Sequence, residues 1–227
     1  MRPLTYVMPK CLLPLGGKPL LERTMQYLGS YGVTEFVLCV AYLKKQVMDA
    51  FKDGSQLGVS ITYAESDIPL GTAGQLKTAE PFVKGRFLAM NGDIVSNMNV
   101  SGLLRAHERQ RAIATLAVKK FEVNVPYGNI TVDGEQIVKK FEEKPTLGFL
   151  ANAGIYVLED RVFSFIPPGR ICSIERETFP NLIAAGEIVG SYFEEAYWAD
   201  VGSMTDFERV NDEMLAREPN FGGPPHD

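Results

Sequence analysis

Histidine is scarce in this chain of 227 residues. There are two, His107 and His226, and the second lies at the extreme C-terminal end. That leaves almost no room for a histidine-built metal site or a Ser-His-Asp triad. Cysteine is also sparse. Cys11, Cys39 and Cys172 form no CxxC and no Cys/His cluster, so neither a zinc site nor a disulfide framework is expected, and the odd number fits a reducing compartment. Cys39 lies in the run Phe36-Val37-Leu38-Cys39-Val40 and reads as a small buried hydrophobe. No apolar run approaches the roughly 18–20 residues of a membrane span, and Met1 to Lys10 has no apolar signal-peptide core. The expected location is the cytoplasm, with no membrane partner. Positive charge is in deficit: Lys and Arg number 23 against 28 Asp and Glu, a formal net charge of −5. Sequence-independent nucleic-acid binding rests on a surplus of cations, so no nucleic-acid partner is expected.

What is present is an ordinary globular composition, 45% hydrophobic and 22% charged, with 21 Gly and 14 Pro for tight turns. Helical patterns alternate with apolar, β-rich runs. Pro19–Tyr31 carries Leu20, Leu21, Met25 and Leu28 on one helical face, closed by Gly32. Glu35–Tyr42 and Arg86–Met90 read as buried strands. Leu43–Phe51, Thr72–Glu80 and Val100–Gln110 read as helices, and Val59–Ala64 and Ala112–Lys119 as strands. This order implies an α/β fold: a doubly wound, mostly parallel, Rossmann-like sheet with helices on both faces. The second half differs. Asn129–Val132 and Gln136–Phe141 flank Asp133-Gly134, a hairpin signal that adds a small antiparallel subregion. Asn152–Leu158, Ile188–Phe193 and Tyr197–Asp200 read as further strands. Ile174–Ala185, capped by Ser173, and Thr205–Ala216 read as helices. Glu218–Asp227, rich in Pro and Gly, reads as a disordered tail.

Ligands of open α/β sheets sit beyond the carboxyl ends of the strands. Asp93 lies there, in Asn91-Gly92-Asp93, with Gly92 permitting close backbone approach; a turn aspartate is the plain alternative. Asp200 ends the strand that contains the single tryptophan, Trp198. Two aspartates at two strand ends suit one Mg²⁺, a hard cation that takes carboxylate and phosphate oxygens and keeps its waters. Gly71-Thr72-Ala73-Gly74 opens a helix whose backbone amides suit an anionic or hydrogen-bonding ligand, although it is neither a P-loop nor a dinucleotide fingerprint. Lys10, held extended between Pro9 and Pro14, suits a phosphate as a point charge. Glu142-Glu143-Lys144-Pro145 alone reads as a solvated charge run.

Taken in order, Arg2-Pro3-Leu4-Thr5, Pro9-Lys10 to Pro14, Gly71-Thr72-Ala73-Gly74, Asn91-Gly92-Asp93, Tyr127-Gly128, Glu142-Glu143-Lys144-Pro145, Asn152-Ala153-Gly154 and Trp198-Ala199-Asp200-Val201-Gly202 form a series. It resembles that of the sugar-1-phosphate nucleotidyltransferases, from residue 1 to about residue 211. The resemblance implies transfer of a nucleoside monophosphate from a nucleoside triphosphate to a sugar 1-phosphate, with release of pyrophosphate and no covalent enzyme intermediate. It implies Asp93 and Asp200 as Mg²⁺ ligands and Gly71, Thr72, Gly74 and Gly92 as the nucleotide-lining positions. Lys10 resembles the triphosphate lysine. Gly128, Glu143 and Asn152 resemble sugar contacts, and Lys144 the clamp on the sugar phosphate. Lys10, Asp93 and Lys144 are thus the expected catalytic set. Ser173-Ile174-Glu175-Arg176-Glu177-Thr178-Phe179-Pro180 is similar to a stretch common in mannose-1-phosphate guanylyltransferases, which turns the expectation toward GTP and mannose 1-phosphate. Glucose-1-phosphate thymidylyl or uridylyl transfer is the alternative.

The resemblance breaks at the start. The family opens with an apolar strand and a glycine-rich loop of the form G-x-G-T-R-[LM]-R-P-L-T, of which this sequence carries the end, Met1-Arg2-Pro3-Leu4-Thr5. The expectation is one catalytic domain over residues 1–217 without its first strand and glycine loop, Met1 being an internal methionine of a longer native chain. A second class of reading is a ligand-sensing, non-catalytic partner of an active homologue. A third, a nucleotide-sugar-using glycosyltransferase, lacks its Asp-x-Asp at a strand end. Homo-oligomerisation is left open.

Overall fold

The computed structural model describes residues 4–216. Met1-Arg2-Pro3 of the first motif and the tail 218–227 lie outside the described residues. The chain begins with a two-residue ladder, β1 (Pro14–Leu15) against β2 (Lys18–Pro19), then α1 (Leu20–Ser30), β3 (Glu35–Val40), α2 (Lys44–Phe51), β4 (Ser60–Glu65) and α3 (Gly71–Thr78). Next come β5 (Arg86–Met90), β6 (Ile94–Ser96), α4 (Val100–Gln110), β7 (Ala114–Asn124), β8 (Asn129–Val132), β9 (Val138–Glu142) and β10 (Thr146–Glu159). The last elements are α5 (Phe179–Ala184), β11 (Val189–Phe193), β12 (Trp198–Asp200) and α6 (Met204–Ala216).

The α/β architecture follows from the periodicities. In α1, Leu20, Leu21, Met25 and Leu28 are buried on one stripe. In α4, Leu103 and Ala106 face inward, and the Asn99 side chain accepts a hydrogen bond from the Gly102 amide at the N-cap. The central sheet has the order β11-β7-β10-β5. β11 runs parallel to β7, whereas β10 is antiparallel to both of its neighbours, and β3 and β4 form a separate parallel pair. Strand alternation divides the core. Tyr156 and Leu158 pack with Phe179 and Leu182 of α5 on one face of the sheet. Ile155 and Val157 pack with Leu103 of α4 on the other.

Several local expectations are corrected. Lys10 does not sit in an extended segment. Lys10–Leu12 is one tight helical turn, closed by the Leu12 amide on the Pro9 carbonyl and the Leu13 amide on the Lys10 carbonyl, both at 3.0 Å. Pro14 restricts the residue before it, and Leu13 is indeed extended (ψ 131°), but Pro9 leaves the residues after it free to turn. β3 and β5 are half-buried rather than buried, with Val40 alone falling in the buried class. Each carries a ladder on one edge, β3 with β4 and β5 with β10, and no ladder joins β3 to β5 among the described residues. Cys39 is accordingly half-buried, its thiol pushed up to about 11 by burial. The β8–β9 hairpin forms, but Asp133-Gly134 is not its left-handed pair. Gln136 takes the positive φ, 63°, while the Asp133 carboxylate accepts the amides of Glu135 and Ile137. Finally, β7 and β10 run well past the core. Their distal halves pair from Asn152↔Val118 to Thr146↔Asn124 and form, with β8 and β9, the small antiparallel subregion.

Candidate active site

Two backbone connections bring Asp93 and Asp200 together. After β5 the Asn91 amide bonds the Gly154 carbonyl (2.9 Å), and a turn closes with the Ile94 amide on the Asn91 carbonyl (3.2 Å). β6 then pairs antiparallel with β12, placing Asp200 opposite Ile94, and the Val201 amide bonds the Asp93 carbonyl at 2.9 Å. Gly154 is needed behind this turn. Its φ is 70°, and a Cβ there would lie 2.8 Å from the Asn91 side-chain nitrogen.

Lys10 reaches into the pair. Its Nζ lies 2.9 Å from Asp93 Oδ2, with about a third of each side chain exposed (33% and 32%). Asp200 is exposed overall, yet partial burial of its carboxyl is the largest cause of a raised pKa. The Asp93 charge raises it further, Lys10 offsets part of this, and Asp206 adds to it. The site is therefore an ammonium seated on one of two mutually repelling carboxylates. Among the described residues, Asp200 has no hydrogen-bond or ion-pair partner, and Asp93 Oδ1 none beyond the Lys10 contact at Oδ2. Two oxygen-donor groups suit a hard divalent cation. No group of three or more His, Cys, Asp or Glu able to hold a metal occurs among the described residues. Two carboxylates match the small donor set of an ion that keeps several of its waters.

The glycine loop is built differently from the expectation. Gly71 has φ 74°, and a Cβ on it would lie 2.6 Å from the Cys172 carbonyl oxygen. One on Gly74 would lie 2.7 Å from that of Arg170. The glycines permit the 170–175 segment to dock against the start of α3. The amides of Ala73 and Gly74 both bond the Cys172 carbonyl, at 3.0 and 3.2 Å, and the Cys172 amide returns to the Leu70 carbonyl at 2.8 Å. Those two helix-start amides are thus occupied by protein and not offered to an anion. Thr72 is engaged as well. Its hydroxyl accepts the Ile174 amide and donates to Glu175 Oε2, each at 2.8 Å.

The expected sugar contacts fall into two places. Gly128 lies against the tips of Phe141 and Glu143: a Cβ on it would lie 2.7 Å from the Phe141 ring and 3.1 Å from Glu143 Oε2. Lys144 follows with a left-handed backbone, φ 48°, which is uncommon for a residue with a Cβ. Among the described residues no ion pair engages Glu143 or Lys144. Asn152 lies at the base of the distal arm, where the β7–β10 register shifts between Asn152 and Tyr156. Its Nδ2 donates to the Tyr156 hydroxyl (2.7 Å) and its Oδ1 accepts the Gly154 amide (3.0 Å). No hydrogen bond or ion pair joins Gly128, Glu143 or Lys144 directly to Lys10, Asp93 or Asp200. Gly92 sits in the turn before Asp93, with open space where a Cβ would point.

Two residues missed by sequence reasoning belong here. Tyr156, buried, bridges Asn152 to the core beneath the glycine loop, and Glu175 joins Thr72 to Ser173. A glycine inside a strand, Gly154, is the one sequence cue to the bulge that brings Asn152 onto Tyr156. His107 has no part in the site: it is buried between Thr115 and Glu159.

The fold is that of a known α/β group. HddC from Yersinia pseudotuberculosis superposes with a TM-score of 0.71 at 22% identity, covering 91% of this chain and 90% of that one. A second HddC structure, a complex with GMP-PN, matches to the same extent. Residues 1–217 match the nucleotidyl transferase family, and the chain belongs to it. Among curated relatives, it is 36% identical to a mannose-1-phosphate guanylyltransferase of Mycobacterium tuberculosis, over 95% of this chain and 61% of the relative. It is 37% identical to a mannose-1-phosphate guanyltransferase of Yarrowia lipolytica, over 91% and 58%. It is 28% identical to a UTP–glucose-1-phosphate uridylyltransferase of Synechocystis, over 96% and 61%. The chain spans about three-fifths of the length of these relatives. No helix among the described residues is long and apolar enough to cross a membrane.

Proposed function

We propose that this chain transfers a nucleoside monophosphate from a nucleoside triphosphate to a sugar 1-phosphate, with GTP and mannose 1-phosphate as the pair. The observation that carries this reading is the pairing of Asp93 and Asp200 beside Lys10. The mannose-1-phosphate guanylyl relatives at 36–37% identity, against 28% for the uridylyl relative, support the choice of pair. In the reaction a sugar-phosphate oxygen forms a bond to the α-phosphorus, the α–β phosphoanhydride bond breaks, and pyrophosphate leaves. No group on the protein need form a covalent bond, so positioning and charge neutralisation are the chemistry required.

Asp93 and Asp200 would hold Mg²⁺, which when bound neutralises phosphate charge and aligns the triphosphate. Lys10 moves from Asp93 to the triphosphate as its point charge. Gly71, Thr72, Gly74 and Gly92 line the nucleotide from the start of α3 and from the turn before Asp93, with the Ala73 and Gly74 amides already spent on Cys172. Glu143 accepts sugar hydroxyls beside Gly128, Asn152 orients the sugar from the arm base, and Lys144 holds the sugar phosphate. The test is pyrophosphate release across a panel of nucleoside triphosphates and sugar 1-phosphates with Mg²⁺. Turnover with GTP and mannose 1-phosphate is expected. Binding of substrates without turnover in any pair would favour a ligand-sensing role instead.

A further inference from the structure

The distal half of β7 has a free edge. β11 pairs with β7 from Ala114 to Val118 and ends there at Phe193. β10 covers the opposite edge as far as Asn124. Among the described residues no strand pairs with the outer edge of β7 beyond Val118. A cleft of about 630 Å³ lies along that edge. Lys119, Lys120 and Glu122 line one side of it, and Phe193 and Ala196, where the chain leaves the sheet, line the other. An unpaired row of backbone N–H and C=O groups is a template for a further strand. The arm beside this edge has an apolar face. Phe121 stacks on Phe149 with ring centroids 5.8 Å apart, and Val123 lies opposite Leu147. Val123, Leu147 and Phe149 are each about half exposed. They form an apolar patch that a single copy of the chain leaves uncovered.

The sequence of this edge is complementary to itself. Lys119, Phe121 and Val123 point to the apolar face, and Lys120 and Glu122 to the other, where they pair at 2.8 Å. The Lys119 ammonium is drawn back over the rings of Phe121 and Trp198, 6.0 and 5.6 Å from their centroids. Charges on an edge strand commonly guard it against pairing. Here the two that remain are of opposite sign and two residues apart, so an antiparallel second copy satisfies both. An antiparallel pairing centred on a single residue keeps the apolar face continuous across the join. Centred on Lys120 or on Glu122, it sets like charges directly opposite, which is destabilising. Centred on Phe121, it sets Lys120 opposite the partner subunit's Glu122, Glu122 opposite the partner subunit's Lys120, and Phe121 opposite its own equivalent. We propose that this chain forms a two-fold dimer through the outer edge of residues 119–123, with Phe121 at the axis. The two arms become one sheet, the surface is the same on both copies, as a closed dimer requires, and the two apolar patches lie side by side. The proposal stands apart from the nucleotidyl-transfer reading above.

Charge reversal in the full chain tests it, with mass measured by sedimentation equilibrium over a concentration series. The wild type should be dimeric. Lys120→Glu and Glu122→Lys each place two pairs of like charges across the axis and should raise the dimer dissociation constant at least about tenfold. Mixed together, the two variants should form a heterodimer of near wild-type affinity, because each cross-axis pair again joins opposite charges. Within each variant chain the two residues still carry the same sign, so recovery on mixing reports the interface and not the fold. Both positions are exposed, and melting temperatures should hold. If either variant fails to fold, Phe121→Cys decides. The pairing places the two Cα atoms at position 121 about 4.5–5.5 Å apart, within reach of a disulfide. Mild oxidation should then give a covalent dimer that the wild type, with its own Cys11, Cys39 and Cys172, does not give. A wild type that stays monomeric at every concentration overturns the proposal and leaves the edge to a different chain. A dimer that both reversals leave intact, variants that stay monomeric when mixed, or a Phe121→Cys protein that yields no covalent dimer each overturn it as well.

Discussion

Replacing Lys10 with methionine separates what the Lys10–Asp93 pair does for the fold from what it does for the reaction. At 2.9 Å the bare attraction of two unit charges is about 1.4 kcal/mol in a water-like dielectric. With a third of each side chain exposed, screening and the ordering of two side chains leave about 0.2–1 kcal/mol. For a chain of this size that is a loss of at most about 2–4 °C in melting temperature. Catalysis should suffer far more. A cation seated on the transferring phosphates is an electrostatic stabiliser of the transition state, and losing one costs on the order of 10²–10³ in kcat. Metal binding should move the other way. In the substrate-free protein the ammonium occupies Asp93 and opposes a second cation there, so Lys10→Met should bind Mn²⁺ more tightly than the wild type in the absence of nucleotide. Three assays check this: thermal melting, pyrophosphate release, and Mn²⁺ titration followed by electron paramagnetic resonance. A variant with wild-type turnover, or one that binds Mn²⁺ more weakly, would refute the reasoning.

Other sites give sharper contrasts between stability and activity. Lys144 holds a left-handed backbone at φ 48°, a conformation that costs a residue with a Cβ about 1–2 kcal/mol. Lys144→Gly should leave the melting temperature unchanged or raise it while KM for the sugar phosphate rises at least tenfold; a large loss of stability would remove the strain argument. Glu159 supplies a pH test. Burial pushes its carboxyl up, but the bonds from Arg86 and His107 more than offset this and hold it below the ordinary range. Its stabilisation is therefore present above the unfolded carboxylate value of about 4.3 and is lost as pH falls through the lower folded value. Glu159→Gln should cost about 1–2 kcal/mol at pH 7, and the gap between the urea midpoints of variant and wild type should narrow as pH falls below about 4.3. A gap that stays constant with pH would contradict the assignment.

Much of the fold was legible because it rests on local signals. The stripe of α1 and the Asn99 cap of α4 each act within a few residues, and β5 could be bounded from its own composition. β6, of three residues, is too short to show a period. The distal half of β10 is exposed and reads as arm rather than core. The position of Lys10 depended on a proline rule that constrains the residue before proline and not those after it. At the site, Asp93 and Asp200 were each visible at a strand end, but their adjacency depends on the Asp200↔Ile94 register, a contact between residues far apart in the chain. The glycine loop shows the same limit more strongly. Gly71 and Gly74 announce close approach, yet nothing local says that what approaches is the Cys172 carbonyl, which takes the amides an anion would have used. Glu175 lies in the Ser173–Pro180 stretch, but its bond from Thr72 depends on tertiary packing that joins residues far apart in the chain.

The central claim is that Asp93, Asp200 and Lys10 form the centre of a nucleotidyl-transfer site. Pyrophosphate release from GTP and mannose 1-phosphate with Mg²⁺, measured for the wild type and for Asp93→Asn side by side, tests it most directly. The account predicts turnover in the wild type and a loss of at least 10²-fold in the variant, with both proteins folded by circular dichroism. Wild-type turnover that survives the loss of the Asp93 charge would contradict it.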